Sequence, residues 1–89
     1  MAANRRQHLT QKAVGQAKRG DGVSGTQLLW DDAPVGLALR LYASGRKAWA
    51  VYYRASRRHR WLTLGSADVM PLVVARKRAR AILARVADG

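Results

Sequence analysis

Residues 36–65 alternate apolar and other side chains in three successive runs, and this pattern limits the fold more than any other feature of the chain. A period of two belongs to a pleated strand, whose side chains point to opposite faces in turn. In GLALRLY (36–42), Leu37, Leu39 and Leu41 share one face and Ala38, Arg40 and Tyr42 the other. In KAWAVYYR (47–54), Trp49, Val51 and Tyr53 oppose Ala48, Ala50, Tyr52 and Arg54. In HRWLTLG (59–65), Leu62 and Leu64 oppose His59, Trp61 and Thr63. Ser44-Gly45 separates the first two runs, and Gly45 suits the positive φ of a tight hairpin. A basic turn, Ala55-Ser56-Arg57-Arg58, separates the second and third. QLLWD (27–31) reads as a further short strand closed by Asp32, Ala33 and Pro34, because proline bars regular pairing. The expectation is an antiparallel meander of three strands, or four when residues 27–31 are counted, apolar on one side only.

An apolar sheet face needs a cover, and PLVVARKRARAILARVA (71–87) supplies one. At a helical period Leu72, Ala75, Ala79, Ile82, Leu83 and Val86 fall within about 100° of one another. Pro71 suits a first helical position and Gly89 a stop. Lys77, Arg78 and Arg85 then face solvent, Arg76 and Arg80 flank the seam, and Val73 and Val74 point outward. Leu39, Val51 and Leu62 are expected to meet Ile82 and Leu83 in the core. The fold class is therefore α+β, an antiparallel sheet packed on one C-terminal α-helix across residues 27–89. Residues 1–26 are polar, basic and Gly-rich, and read as a flexible N-terminal arm with a short helix at residues 9–17 that Thr10 begins. The arm's Arg5, Arg6, Lys12, Lys18 and Arg19 against Asp21 suit a solvated tail and a DNA-touching arm equally.

At 89 residues there is room for one modest core and no second domain. Seventeen Lys and Arg stand against five Asp and no Glu, a net charge of +12, so the natural partner is a polyanion and nucleic acid is the first candidate. With 48% apolar residues the chain can still fold. The absence of Cys excludes a disulfide framework, a Cys-ligated zinc module and a thiol nucleophile, and fits a reducing, cytoplasmic compartment. The opening residues lack the apolar stretch of a signal peptide, and no run is long enough to span a bilayer. A helix lying on anionic lipid is disfavoured, because residues 72–87 carry no bulky aromatic on their apolar face.

Catalysis would have to be built from five Asp, His8 and His59, and no pair among them has the spacing of a site, so no catalytic residue, metal or cofactor is expected. Asp31-Asp32 is better read as a turn or cap than as a metal ligand pair. His59 lies between Arg58 and Arg60, which repel a cation, and reads as a neutral hydrogen-bonding contact. The glycines of GDGVSG lack the rest of a phosphate-binding loop. The positive signal is the polar sheet face: Arg40, Tyr42, Tyr52, Arg54, His59, Trp61 and Thr63 lie opposite the leucines. Such a face can enter a DNA major groove, with Arg on guanine edges and Thr or aromatic carbons on thymine methyls, while the turn residues Arg46, Lys47, Arg57 and Arg58 hold phosphates. The plainer reading packs Trp61 and Tyr52 under the N-terminal arm and leaves the arginines solvated. Two other functions compete: a small basic RNA-binding accessory protein that stacks bases on the sheet aromatics, and a helix-mediated interaction module.

The ordered series Trp30-Asp31, Gly36-Leu37, Leu39-Arg40-Leu41, Gly45, Lys47, Trp49, Tyr53-Arg54, Leu62-Thr63-Leu64-Gly65, Ala75-Arg76 and Ala79 resembles the N-terminal arm-type DNA-binding domain of tyrosine-recombinase phage integrases, over residues 9–89. The chain departs from that pattern at Pro71, where Ser or Thr is frequent, and at Val74, where an acidic residue is. The resemblance implies a three-stranded antiparallel sheet on a C-terminal helix, with the open face in the major groove of double-stranded arm-type sites. It also implies a bacterial setting at the nucleoid, a part in DNA integration and recombination, and other integrase protomers as partners of the full-length protein. The catalytic domain with its tyrosine nucleophile is not in these residues, which look like an excised fragment or a remnant gene product.

Overall fold

The computed structural model describes residues 6–20 and 25–87. Arg5, Asp21, Gly22 and Gly89, to which the sequence assigned parts in the arm, the linker and the helix stop, lie outside the described residues. The elements run β1 (Arg6–Gln7), α1 (Gln11–Gln16), β2 (Gln27–Asp32), β3 (Val35–Leu41), β4 (Lys47–Ala55), β5 (Arg58–Ser66) and α2 (Leu72–Ala87). β2 to β5 form the antiparallel meander in chain order, and the two-residue β1 adds in parallel along β2. The four-stranded form of the meander is the one adopted, with α2 packed on β3 and β4.

The alternation sorts the sheet as expected. Leu37 pairs with Val51 and Leu39 with Trp49. These residues and Leu41 are buried together with Leu72, Ala75 and Ala79 of α2. Ile82 and Leu83 pack against the same cluster. Small residues at 75 and 79 let the helix approach closely, and Gly36 completes that approach on the sheet side. Gly36 has φ 111°, and a Cβ there would stand 2.9 Å from the Tyr52 carbonyl oxygen and meet the Leu83 methyls. The buried Trp49 indole N–H donates to the Met70 carbonyl at 2.9 Å, fixing the turn from β5 into α2. The Leu72 N–H at the start of α2 has no carbonyl a turn earlier to receive it, and the Gln11 Oε1 accepts it at 2.8 Å.

Three expectations need correction. Leu62 does not join the core: it pairs with Val51 but is 41% exposed, because β5 is the edge strand and α2 packs on β3 and β4, while Leu64, at a bulge opposite Trp49 and Ala50, packs against the core. Val74 packs against the core, while Val73 alone of the two faces outward. Residues 6–20 are docked rather than loose, since Leu9 and Val14 are core residues. The short helix begins as expected, with the Thr10 Oγ1 accepting from the Ala13 N–H at 3.0 Å.

The docking of this segment depends on Asp31. Its side chain is fully buried and takes a bidentate pair from Arg76, Nε to Oδ2 at 2.8 Å and Nη2 to Oδ1 at 3.0 Å. The Leu9 N–H donates to the same carboxylate at 3.2 Å, and Arg76 Nη2 also donates to the Leu9 carbonyl at 2.7 Å. One ion pair thus ties β2, α2 and the N-terminal segment together. Burial pushes the Asp31 carboxyl up, but the hydrogen bonds from Arg76 and from the Leu9 and Asp32 N–H groups outweigh it and hold the group below its ordinary 3.8. Arg76 is raised in turn by its bond to Asp31. The role expected for Asp31, a turn or cap, is replaced by a clasp between distant elements.

Candidate nucleic-acid interface

The face of the sheet away from α2 is set by strand pairing. Trp30 stands beside Ala38, Ala38 beside Ala50, and Arg40 beside Ala48. Ala50 stands beside Thr63, Tyr52 beside Trp61, and Arg54 beside His59. The pleat that buries Leu37, Leu39, Trp49 and Val51 therefore places these side chains together on the opposite side. Ala38 and Ala50 are completely buried there although they are not in the core cluster, because larger neighbours on the same face close over them.

Those neighbours form one aromatic cluster. Tyr52 lies 4.7 Å from Trp61 and 5.9 Å from Trp30 between ring centroids, and the two indoles are 5.5 Å apart. His59 stacks on Tyr52 at 5.1 Å with the planes 14° apart. The Arg40 guanidinium carbon sits 4.8 Å from the centre of the Trp61 ring, and its Nη1 donates to Thr63 Oγ1 at 3.0 Å. A cation held by a ring face and a hydroxyl has fewer rotamers to lose when a ligand arrives. Trp61 remains 39% exposed at the surface of this cluster.

Of the residues singled out in the sequence, Arg40, Tyr52, Arg54, His59, Trp61 and Thr63 come together on this face. Tyr42 follows the end of β3, where its N–H donates to the Arg46 carbonyl across the turn. Arg46 is exposed in that turn, and Arg57 and Arg58 are exposed at the β4–β5 turn. The two turns lie at opposite ends of β4, which at about 3.3 Å per residue separates them by about 26 Å. Lys47 is diverted: its ammonium donates to the Val14 and Gly15 carbonyls at 2.9 and 3.1 Å, closing the end of α1. Trp30 was not among the expected face residues. Its signal is the same period of two carried back into residues 27–32, which puts Leu28 and Trp30 on the polar side and Leu29 and Asp31 on the core side.

His8, Asp31 and Asp32 bring one ligand atom each to within 4.8 Å of one another, with His8 Nδ1 2.9 Å from Asp32 Oδ1. Both oxygens of Asp31 already accept from Arg76, so the guanidinium occupies the position a metal ion would need.

The sequence profile of the arm DNA-binding domain family, a family found in phage integrases, matches residues 9–89. The chain belongs to this family. A comparison with curated proteins finds no match. The arm DNA-binding domain starts, by that match, at Leu9, the residue at which the N-terminal segment enters the core, so α1 and the Asp31 clasp are integral to it. Its partner is double-stranded DNA, in the context of phage integration. No helix among the described residues is long and apolar enough to cross a membrane.

Proposed function

We propose that this arm DNA-binding domain recognises sequence by seating the outer sheet face in the major groove of arm-type sites, as the N-terminal part of a tyrosine recombinase. The observation that carries the reading is the cluster of Arg40, Tyr52, His59, Trp61 and Thr63 on an open face, with arginine-bearing turns at both ends. A two-stranded or wider ribbon fits a groove about 12 Å across, and turns separated by about 26 Å reach past both of its walls. Arg40 and Arg54 are the side chains suited to guanine O6 and N7, and Thr63 and the Trp61 edge are suited to thymine methyls. Arg46, Arg57 and Arg58 hold phosphates, with Tyr42 beside the first of them. Lys47 serves the fold in this reading.

Single-stranded RNA is the weaker alternative. A base stacks on an open ring face. Here Tyr52 lies against His59, Trp61 and Trp30, and Trp61 also carries Arg40, so the rings are largely engaged with one another.

The test starts with selection of a binding duplex from a random-sequence pool, followed by affinities for that duplex and a scrambled one in the same buffer. Arg54→Ala is expected to cost about 1–3 kcal/mol on the selected duplex and to narrow the gap between the two, while Arg85→Ala, exposed on α2, leaves the gap intact. The reverse result makes the helix the reader. Single-stranded competitor that displaces the selected duplex at equal concentration would favour the RNA alternative.

A further inference from the structure

Beside the outer sheet face the domain carries a basic cleft of which the sheet-face reading uses only Arg46 and Tyr42. Residues 15–20, the end of α1 and the stretch after it, and the β3–β4 turn form the two walls of a cleft of about 570 Å³. Lys18, Arg19, Arg46 and Lys47 line it, and among the described residues no acidic one does. Tyr42 closes one side. The same Tyr42 borders the depression on the outer face formed with Arg40 and Trp61, and another beside Thr63 and Ser66. A strand of polyanion lying on the outer face therefore has a continuous path around Tyr42 into the cleft.

The wall contributed by residues 15–20 is held in place. Lys47 ties the end of α1 to the start of β4. Arg19 Nη1 donates to the Gly25 carbonyl at 2.9 Å, and the Gly20 N–H donates to Gln27 Oε1 at 2.7 Å, which fixes the segment to the beginning of β2. Lys18 and Arg46 are both exposed, and among the described residues no carboxylate lines this cleft. Two cations on fixed walls, with a path from the base-reading face, make a site for a phosphodiester group that does not have to be assembled at the moment of binding.

We propose that this cleft clamps the DNA backbone just outside the base-reading face, with Lys18 and Arg46 on the phosphates, so that the N-terminal segment is part of the DNA interface. The proposal rests on the sheet-face reading above, since it places the rest of the duplex. It predicts that the cleft contributes affinity without sequence preference. Each phosphate contact contributes about 0.9 to the slope of log affinity against log salt.

The experiment measures that slope on a scrambled duplex for the unaltered chain and for Lys18→Gln, Arg46→Gln and Lys77→Gln. Lys77 is exposed on α2, away from the cleft, and removes the same charge. Lys18→Gln and Arg46→Gln are each expected to flatten the slope by about 0.9, while Lys77→Gln leaves it unchanged. On the selected duplex the first two should lose affinity by the same factor as on the scrambled one, keeping discrimination intact. Discrimination by the unaltered chain with a slope that Lys18→Gln does not change would overturn the clamp and leave the base-reading sheet face standing, since Arg46 belongs to both and Lys18 to the clamp alone. Failure of the unaltered chain to discriminate, or to bind duplex at all, would overturn both.

Discussion

Replacing Arg76 by Met tests how much of the fold depends on the Asp31 clasp. The side chain keeps most of its aliphatic length and loses the guanidinium, so the Asp31 carboxylate stays fully buried with only the Leu9 and Asp32 N–H groups to satisfy it. Removing one partner of a buried pair costs about 3–5 kcal/mol, because the other charge is left without its counterion. An 89-residue domain has roughly 4–13 kcal/mol of total stability at about 0.05–0.15 kcal/mol per residue. The variant should therefore lose about a quarter of it or more. The loss should appear first at the N-terminal segment, which Arg76 also holds through the Leu9 carbonyl.

The pH dependence gives the test its specificity. In the unaltered chain Asp31 titrates lower in the folded than in the unfolded state, so its contribution is fully present above the unfolded value of 3.8 and fades as pH falls through the folded one. In Arg76→Met the largest depressing contact is gone and burial raises the group, so the folded state takes up a proton more readily than the unfolded state. The stability gap between the two proteins is thus widest near neutral pH and narrows as pH falls, first through the raised value of the variant and then through the lowered value of the unaltered chain. Urea melts at about pH 7 and about pH 3 measure it. A gap below about 1 kcal/mol at neutral pH, or one that does not change with pH, would refute the argument that a buried, paired carboxylate holds these elements together.

Two further outcomes are expected. The β4–β5 turn has Ser56 and Arg57 both at positive φ, 52° and 67°, where Asn-Gly is the favoured pair. Changing them to Asn and Gly should raise stability by about 1–2 kcal/mol in a urea melt, yet flatten the salt dependence of duplex binding if Arg57 makes the phosphate contact proposed for it; unchanged stability would show that the turn is not strained. Leu39→Ala should cost about 2–5 kcal/mol, and Leu62→Ala, on the exposed edge strand, under about 1 kcal/mol, so equal losses in the same melt would contradict the position assigned to β5.

The sheet was legible in the sequence because one side of it had to be apolar, and a period of two admits no other arrangement for Leu37, Leu39, Leu41, Trp49 and Val51. The same logic places Arg40, Tyr52, Arg54, His59, Trp61 and Thr63 together on the other side. It failed at Leu62, which keeps its place opposite Val51 but lies on the edge strand, while α2 packs on β3 and β4. The N-terminal segment was illegible for a different reason. Leu9 and Val14 are two isolated apolar residues in a polar stretch, with no period to reveal them, and what holds them is Asp31, 22 residues from Leu9 and 45 from Arg76. An aspartate before a proline turn has a sufficient local explanation, and local patterns carry no trace of a partner so far along the chain.

The placement of the few carboxylates explains how so basic a chain both folds and keeps a surface for a polyanion. At a net charge of +12 the compact state opposes its own repulsion, and every acidic group that pairs inside the fold relieves some of it. Among the described residues Asp31 lies under Arg76 and Asp32 beside His8, both where the N-terminal segment meets β2, and Asp68 lies in the turn after β5. None lines the outer-face depression around Arg40 and Trp61 or the cleft beside Lys18 and Arg46. A carboxylate at either place would pair with those arginines and lysines, make a stronger apo fold, and have to be displaced by each phosphate or guanine that bound. Keeping these three acids away from both surfaces leaves Arg40 of the outer face with a ring and a hydroxyl as company. Those partners orient a guanidinium without neutralising it, so the attraction for DNA is left in full.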